Sequence, residues 1–270
     1  MVTGEGTANS ASSVMELGMD SRFDLSHAYW IVAGIAGVDP AAASIGSAAW
    51  AQYVVDGDLA HEIDAREMPK DWATGRFPLD SKGPYDPAAK PYEGQVFELN
   101  PALVNWAFEL TRHIDLGDSE HLQKSRARYA GYPNALKPPF VLKGDNLAAM
   151  TFWHGKILND WASHWVSFWT HGKGNFVTSA MEDTGTMVSL TWLSSTGRVD
   201  KNRALVLRTA SNYTLPPPGV TAAANMQQEN AGYSGLNASV ESAYKVGSAV
   251  VDEIVRKWPL YRDHLPSTRP

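Results

Sequence analysis

The sequence predicts an α/β fold in which strands alternate with helices around one sheet. Tyr29 to Gly34 is a continuous apolar run with β-branched members, and Ala204 to Arg208 is a second one; both are typical of buried strands. An amphipathic segment from about Val240 to Trp258 predicts a helix that packs on the sheet. Loops with small or polar residues follow the strands, and open α/β sheets bind ligands at such carboxyl ends.

Capping residues and short apolar runs predict the other elements. These are a helix from a cap at Asn9 or Ser10 to about Gly18, a strand from Ala48 to Val55, a helix from Asn100-Pro101 to about His113, strands at Phe140–Lys143 and Asn175–Thr178, and a helix from about Met181. Three segments are predicted to be loops: the small-residue stretch Gly34–Pro40, a long polar excursion at about 56–98, and the Pro/Ala/Gln stretch Tyr213–Asn230.

A length of 270 residues suits one large α/β domain or two small ones, and 44% hydrophobic and 19% charged residues are ordinary for a globular protein. No segment has the character of a linker between domains, so a single domain over residues 1–270 is expected. The net charge is −6 without a block of Lys or Arg, which disfavours nucleic acid and anionic membrane surfaces as partners. The absence of Cys excludes disulfides and a thiolate nucleophile, and the His residues lack metal-ligand spacing, so no cofactor or metal is expected. The longest apolar run, Tyr29–Val38, has only half of the roughly 20 residues that a bilayer span needs.

Three short motifs carry candidate chemistry, and each also has an ordinary structural interpretation. Small residues at Gly34–Gly37 allow a ligand to approach the backbone, or they make a tight turn. The carboxylate of Glu182 can accept hydrogen bonds from a vicinal diol such as a ribose, or it lies on a solvated turn. Ser211-Asn212 follows a strand, where Asn is also a common turn residue.

In this order, the three motifs resemble the purine nucleoside phosphorylase and methylthioadenosine nucleosidase superfamily. The resemblance implies a mixed sheet flanked by helices. It also implies that Gly34–Gly37 lie beside base and sugar, that Met181-Glu182 binds the ribose, and that Ser211-Asn212 recognises the purine. Gly144-Asp145 and Phe152-Trp153 are similar to the segment that carries the superfamily's stacking aromatic residue.

A closer resemblance, over nearly the whole chain, is to the purine nucleoside permease family of fungi and bacteria. It is carried by three segments: Thr3–Ala11, Ala33–Pro40 and Leu215–Gly219. The family name implies uptake of purine nucleosides, and its pattern implies a soluble domain of the phosphorylase type.

The chain departs from the superfamily pattern at two places. The superfamily's first strand, with its glycine loop and a catalytic Glu, should precede Thr3. Val2-Thr3-Gly4 is interpreted as a strand end, so we expect the sheet to lack its first strand and a chain extended upstream to be more stable and more active. Ile35 stands where phosphorylases have a phosphate-binding Ser, and Val32 where one branch has an Arg. Neither side chain has a donor for phosphate, so phosphorolysis is not expected.

The resemblance assigns a role to each candidate residue. Asn212 would bind N7 and the 6-oxo group of the purine, which favours inosine or guanosine, and Glu182 would bind the ribose hydroxyls. His61 is a candidate general base, although it also fits an exposed polar histidine. The substrate-binding candidates are Gly34, Ile35, Ala36, Gly37, Phe152, Trp153, Met181 and Ser211; for the two aromatic residues an ordinary core position is the alternative.

Three functions remain open on the sequence. The first is N-ribosyl cleavage of a purine nucleoside by water rather than phosphate, and the second is binding of the nucleoside for uptake without chemistry. The third is an interaction domain with an inactive pocket. Base preference and a homo-oligomeric state are open as well. The compartment is also open, because a signal peptide would lie upstream of Met1.

Overall fold

The computed structural model describes residues 1–268, which form ten strands and eight α-helices. The strands are β1 Trp30–Val38, β2 Ala48–Trp50, β3 Tyr53–Asp56, β4 His61–Glu62, β5 Arg76–Phe77, β6 Val96–Glu98, β7 Val141–Lys143, β8 Asp145–Ala148, β9 Phe176–Ala180 and β10 Ala204–Tyr213. The helices are α1 Thr7–Met19, α2 Pro101–Thr111, α3 Glu120–Ala127, α4 Lys156–Trp169, α5 Asp183–Ser195, α6 Ala222–Asn230, α7 Leu236–Arg256 and α8 Trp258–Tyr261.

Eight strands form one mixed sheet in the order β6-β3-β8-β9-β1-β10-β2-β7, and β4 and β5 form a separate hairpin. β1 and β10 are parallel at the centre of the sheet, while β9 runs antiparallel to β1. Helix α7 packs on β10 and β1, and α4 packs on β8 and β9. The predicted fold class, a mixed sheet flanked by helices, is confirmed.

The two central strands are longer than predicted. Gly34 to Val38, predicted to be a loop, belongs to β1, and Thr209 to Asn212 belongs to β10. The reason is tertiary: the two strands pair from Trp30 opposite Ala204 to Val38 opposite Tyr213. The register shifts between Ala36 and Gly37, which leaves Ser211 as the extra residue of a bulge.

The predicted strand from Ala48 to Val55 is two strands, β2 and β3, that lie in different parts of the sheet. Before Gln52 the chain pairs with β10 and β7, and after it the chain pairs with β6 and β8. The carboxylate of Asp145 makes this possible, because its Oδ1 accepts the backbone N–H groups of Gln52 at 3.0 Å and Tyr53 at 2.7 Å. A distant side chain thus replaces the hydrogen bonds that a continuous strand would have made.

Two other predictions differ from the structure. Residues 222–230 of the predicted Tyr213–Asn230 loop form α6, whose first turn is capped by the Thr221 side chain. Val2 to Gly4 has irregular backbone rather than the end of a strand. The 56–98 excursion contains the β4–β5 hairpin and returns to the sheet at β6.

One edge of β1 is open. Trp30 to Ala36 pair with β10 on one side, whereas on the other side only Gly37 and Val38 pair with a strand, β9, among residues 1–268. The open edge leaves backbone hydrogen-bonding groups available to a further strand. Within the same residues, no helix has the length and apolar character to cross a membrane.

Two helical glycines give a matched test of the packing between α1 and α5. A Cβ at Gly185 would lie 2.1 Å from the carbonyl oxygen of Thr7, whereas a Cβ at Gly247 would have its closest contact at 3.8 Å. Alanine stabilises a helix relative to glycine by about 0.5–1 kcal/mol, but overpacking costs about 1–3 kcal/mol. We expect Gly247→Ala to raise the melting temperature and Gly185→Ala to lower it. Equal effects would show that α1 and α5 do not depend on this close approach.

Candidate functional site

A large cavity of about 1220 Å³ lies beside the central strands. Its walls come from β1, the end of β9 with the start of α5, the end of β10, the segment before α1 with the second half of that helix, and the segment around α6. Because β9 is antiparallel to β1 and pairs with it at Gly37 and Val38, the end of β9 that leads into α5 lies beside the small-residue part of β1. This topology brings together motifs that are about 150 residues apart in the sequence.

Most of the site residues predicted from the sequence line this cavity. They are Gly34, Ile35, Ala36, Gly37, Phe152, Met181, Glu182, Ser211 and Asn212. His61 does not: it is exposed on β4 and packs against Phe77. Trp153 lies in the core, where it contacts Trp161 and Phe176, so its ordinary core interpretation fits the structure.

The Glu182 carboxylate is held at the cavity wall by two donors. Its Oε2 accepts from Nη2 of Arg208 at 3.0 Å, and its Oε1 accepts from the backbone N–H of Gly6 at 3.3 Å. The Ser10 hydroxyl also donates to the Glu182 carbonyl oxygen at 2.7 Å. The start of α1 therefore positions Glu182, and each carboxylate oxygen keeps a lone pair for a ligand.

Arg208 is bound by a second carboxylate behind the cavity wall. Its Nε donates to both oxygens of Asp183 at 3.0 and 3.1 Å, and Asn146 Nδ2 donates to the same carboxylate at 2.6 Å. Asp183 is fully buried, and burial raises its pKa, whereas the Arg208 charge opposes that shift. Since an arginine stays charged, the pair forms a buried ionic network that includes Glu182.

Gly34 provides the space that this network requires. A Cβ at position 34 would lie 2.3 Å from Nη1 of Arg208, and that Nη1 donates to the Ile35 carbonyl oxygen at 3.1 Å. The glycine thus allows the guanidinium group to lie against the β1 backbone. In the small-residue motif, Gly34 therefore makes room for the Arg208 side chain of the protein itself. Gly37 lies close to the Asn212 side chain.

A second polar cluster also lines the cavity and includes Glu229, a residue that the sequence did not indicate. Ser211 Oγ donates to Asn212 Oδ1 at 2.8 Å, and Asn212 Nδ2 donates to Glu229 Oε2 at 3.3 Å. Asn225 Nδ2 donates to Glu229 Oε1 at 3.0 Å. Burial raises the pKa of Glu229 to about 7, and the two amide hydrogen bonds act in the opposite direction.

Aromatic and apolar groups complete the walls. Phe152 is 40% exposed and stacks nearly parallel to Tyr233, with ring centroids 6.1 Å apart. Val32 and Ile35 also line the cavity. Within residues 1–268, no three His, Asp or Glu side chains converge as ligands for a metal ion.

The Arg208 network gives a stability prediction. Arg208→Met leaves Asp183 buried without its counter-charge, and breaking a buried pair in this way costs about 3–5 kcal/mol. Arg66→Met is the control, because Arg66 pairs with Asp64 on the surface and its side chain is 87% exposed. We expect chemical denaturation to show a large loss of stability for the first variant and little change for the second. Similar losses in both would contradict a special role for the buried pair.

Solved structures with a similar fold include two Helicobacter pylori proteins. Futalosine hydrolase matches with a TM-score of 0.51 and 17% identity, covering 93% of this chain and 77% of that one. A 5′-methylthioadenosine/S-adenosylhomocysteine nucleosidase matches with a TM-score of 0.51 and 16% identity, covering 93% and 78%. At these identities the likeness concerns the fold alone.

Sequence relatives define the family. A probable purine nucleoside permease of Schizosaccharomyces pombe is 32% identical over 267 residues, covering 96% of this chain and 76% of the relative. A purine nucleoside permease of Candida albicans is 30% identical over 261 residues, covering 96% of this chain and 64% of the relative. The family described as Purine nucleoside permease (NUP) matches residues 1–266. The chain therefore belongs to the purine nucleoside permease family.

Proposed function

We propose that the chain binds a purine nucleoside in this cavity and that binding serves nucleoside uptake. The observation that carries the proposal is the geometry of Glu182, a carboxylate fixed at the cavity wall with acceptor positions free on both oxygens. Two adjacent acceptors of this kind suit the 2′- and 3′-hydroxyls of a ribose. The names of the family and of its curated relatives support the uptake role.

The rest of the cavity suits a flat base. Phe152 and Tyr233 offer aromatic surface, and Asn212 stands beside the Ser211 bulge. The Oδ1 atom of Asn212 already accepts the Ser211 hydroxyl, so one lone pair remains for the base. In this arrangement Asn212 contacts the purine from a fixed orientation.

Cleavage of the N-glycosidic bond is the second candidate function. The observation that favours it is Glu229, a half-buried carboxyl whose pKa near 7 suits proton transfer at neutral pH. Water is the expected nucleophile. Incubation with inosine, followed by measurement of free hypoxanthine, separates the two: release with turnover supports cleavage, whereas binding without release supports capture alone.

The Glu182 contact predicts a selective loss of affinity. Glu182→Gln should weaken binding of ribonucleosides by roughly 1–3 kcal/mol, because a charged hydrogen bond to the sugar is lost. The 2′,3′-dideoxy analogues lack these hydroxyls and should be affected much less. Titration calorimetry of both ligands tests this, with Glu241→Gln on the exposed face of α7 as the control. Equal weakening of both ligands would show that Glu182 does not contact the sugar.

Phosphate is not expected to act as a cosubstrate. Val32 and Ile35 offer no donors, and the donors of Arg208 are directed at Glu182, Asp183 and the Ile35 carbonyl oxygen. Purine release from inosine, if it occurs, should therefore be the same with and without phosphate. Phosphate-dependent formation of ribose 1-phosphate above the rate of hydrolysis would contradict this expectation.

A further inference from the structure

Glu229 has a defined orientation at the cavity wall. The residue lies near the end of α6, and its two carboxylate oxygens accept from two different side chains, Asn225 on the same helix and Asn212 on β10. Two donors on separate elements fix the plane of the carboxylate. Each oxygen keeps one further acceptor position.

The charge of this carboxylate has no cationic partner. Both donors are neutral amides, and no Lys, Arg or His within residues 1–268 forms an ion pair with Glu229. Arg208, which also lines the cavity, is paired with Glu182 and Asp183 instead. A half-buried carboxylate without a counter-ion gains most from a ligand that brings N–H donors to it.

Purine bases differ in the donors that they present. Guanine has two adjacent donors, N1–H and the 2-amino group, in the parallel arrangement that a carboxylate accepts with both oxygens. Hypoxanthine has only N1–H at that edge, and adenine presents N1 as an acceptor, which repels a carboxylate. A carboxylate at this edge of the base should therefore bind guanine more tightly than hypoxanthine, and hypoxanthine more tightly than adenine.

We propose that Glu229 is the residue that determines base specificity, and that its carboxylate accepts N1–H and the 2-amino group of guanine, so that the site prefers guanosine over inosine and inosine over adenosine. The inference rests on the proposed nucleoside-binding function and names the base class that the same cavity takes. Asn225 is then a positioning residue, since it orients the Glu229 carboxylate, and Asn212 orients the same carboxylate in addition to its own proposed contact with the base.

The ionisation of Glu229 makes the proposal measurable. Burial raises its pKa to about 7, so the carboxylate form that guanosine needs is depleted below neutral pH. Guanosine affinity should rise with pH and level off above about pH 8, and it should be roughly 25-fold weaker at pH 5.5 than at pH 7.5. Adenosine should show the opposite trend, because the protonated carboxyl can donate to an acceptor nitrogen.

Other titratable groups around Glu229 do not mimic this profile. Burial lowers the pKa of His154, which contacts Asn225, and burial raises the pKa values of Tyr129 and Tyr233. The other charged groups nearby are Arg128, which contacts the adjacent Gln228, Glu5 near Tyr233, and Glu182 with Arg208 across the cavity. Replacing Glu229 should therefore remove most of the pH dependence of guanosine affinity.

Titration calorimetry of guanosine, inosine and adenosine between pH 5.5 and 8 tests the proposal on the wild-type chain and on Glu229→Gln. We expect opposite pH trends for guanosine and adenosine in the wild type, and a weak, flat guanosine profile in the variant. A guanosine affinity independent of pH, or an unchanged base preference in the variant, overturns the role of Glu229. The wild-type profile decides the question even where the variant folds poorly.

The outcomes also separate this inference from the proposed function. If none of the three nucleosides binds the wild type at any pH, the proposed function fails and the base preference fails with it. If ribonucleosides bind and Glu182→Gln weakens them, but the preference and pH trends are absent, only the assignment of Glu229 fails.

Discussion

The buried contact between Arg208 and its two carboxylates is the constraint on which the site depends. Arg208 projects from β10, Glu182 and Asp183 lie where β9 leads into α5, and Gly34 of β1 provides the space. One guanidinium group thus ties three central strands and a helix start together. A charge this deeply buried is tolerated only with its partners in place, so the same contacts that satisfy it also fix the Glu182 carboxylate at the cavity wall.

The sequence predicted the existence of most elements better than their ends. The apolar runs at Tyr29 and Ala204 correctly indicated strands. Local sequence could not show that β1 and β10 stay paired as far as Val38 and Tyr213, and this pairing sets where the two strands end. Glycine and alanine are poor strand formers, and they belong to β1 here because the strand pairs with β10. Gly34 and Gly37 are small because Arg208 and Asn212 lie against them. The break at Gln52 depends on Asp145, a side chain more than 90 residues away, which no local pattern could reveal.

The candidate site was predicted in part, and the limits have physical causes. Residues in short motifs at strand ends, such as Glu182 and Asn212, could be found because the topology gathers strand ends. Glu229 was missed because the segment with Pro216 to Pro218 was interpreted as a loop throughout. The signal for α6 was present, since Thr221 followed by three alanines is a good helix start. The roles of Arg208 and Asp183 could not be inferred, because their meaning lies in a contact between separate elements.

The packing of α6 has a consequence for ligand kinetics. Asn225 is the only residue of this helix that is buried, so α6 places no apolar side chain fully in the core. Helices of this kind open locally at a smaller free-energy cost than the core does. Glu182, the proposed sugar contact, lies between β9 and α5, whereas Glu229, the proposed base contact, lies on α6. We therefore expect the residence time of a bound nucleoside to follow the opening rate of α6, so that changes in this short helix alter dissociation while the contacts of Glu182 stay fixed.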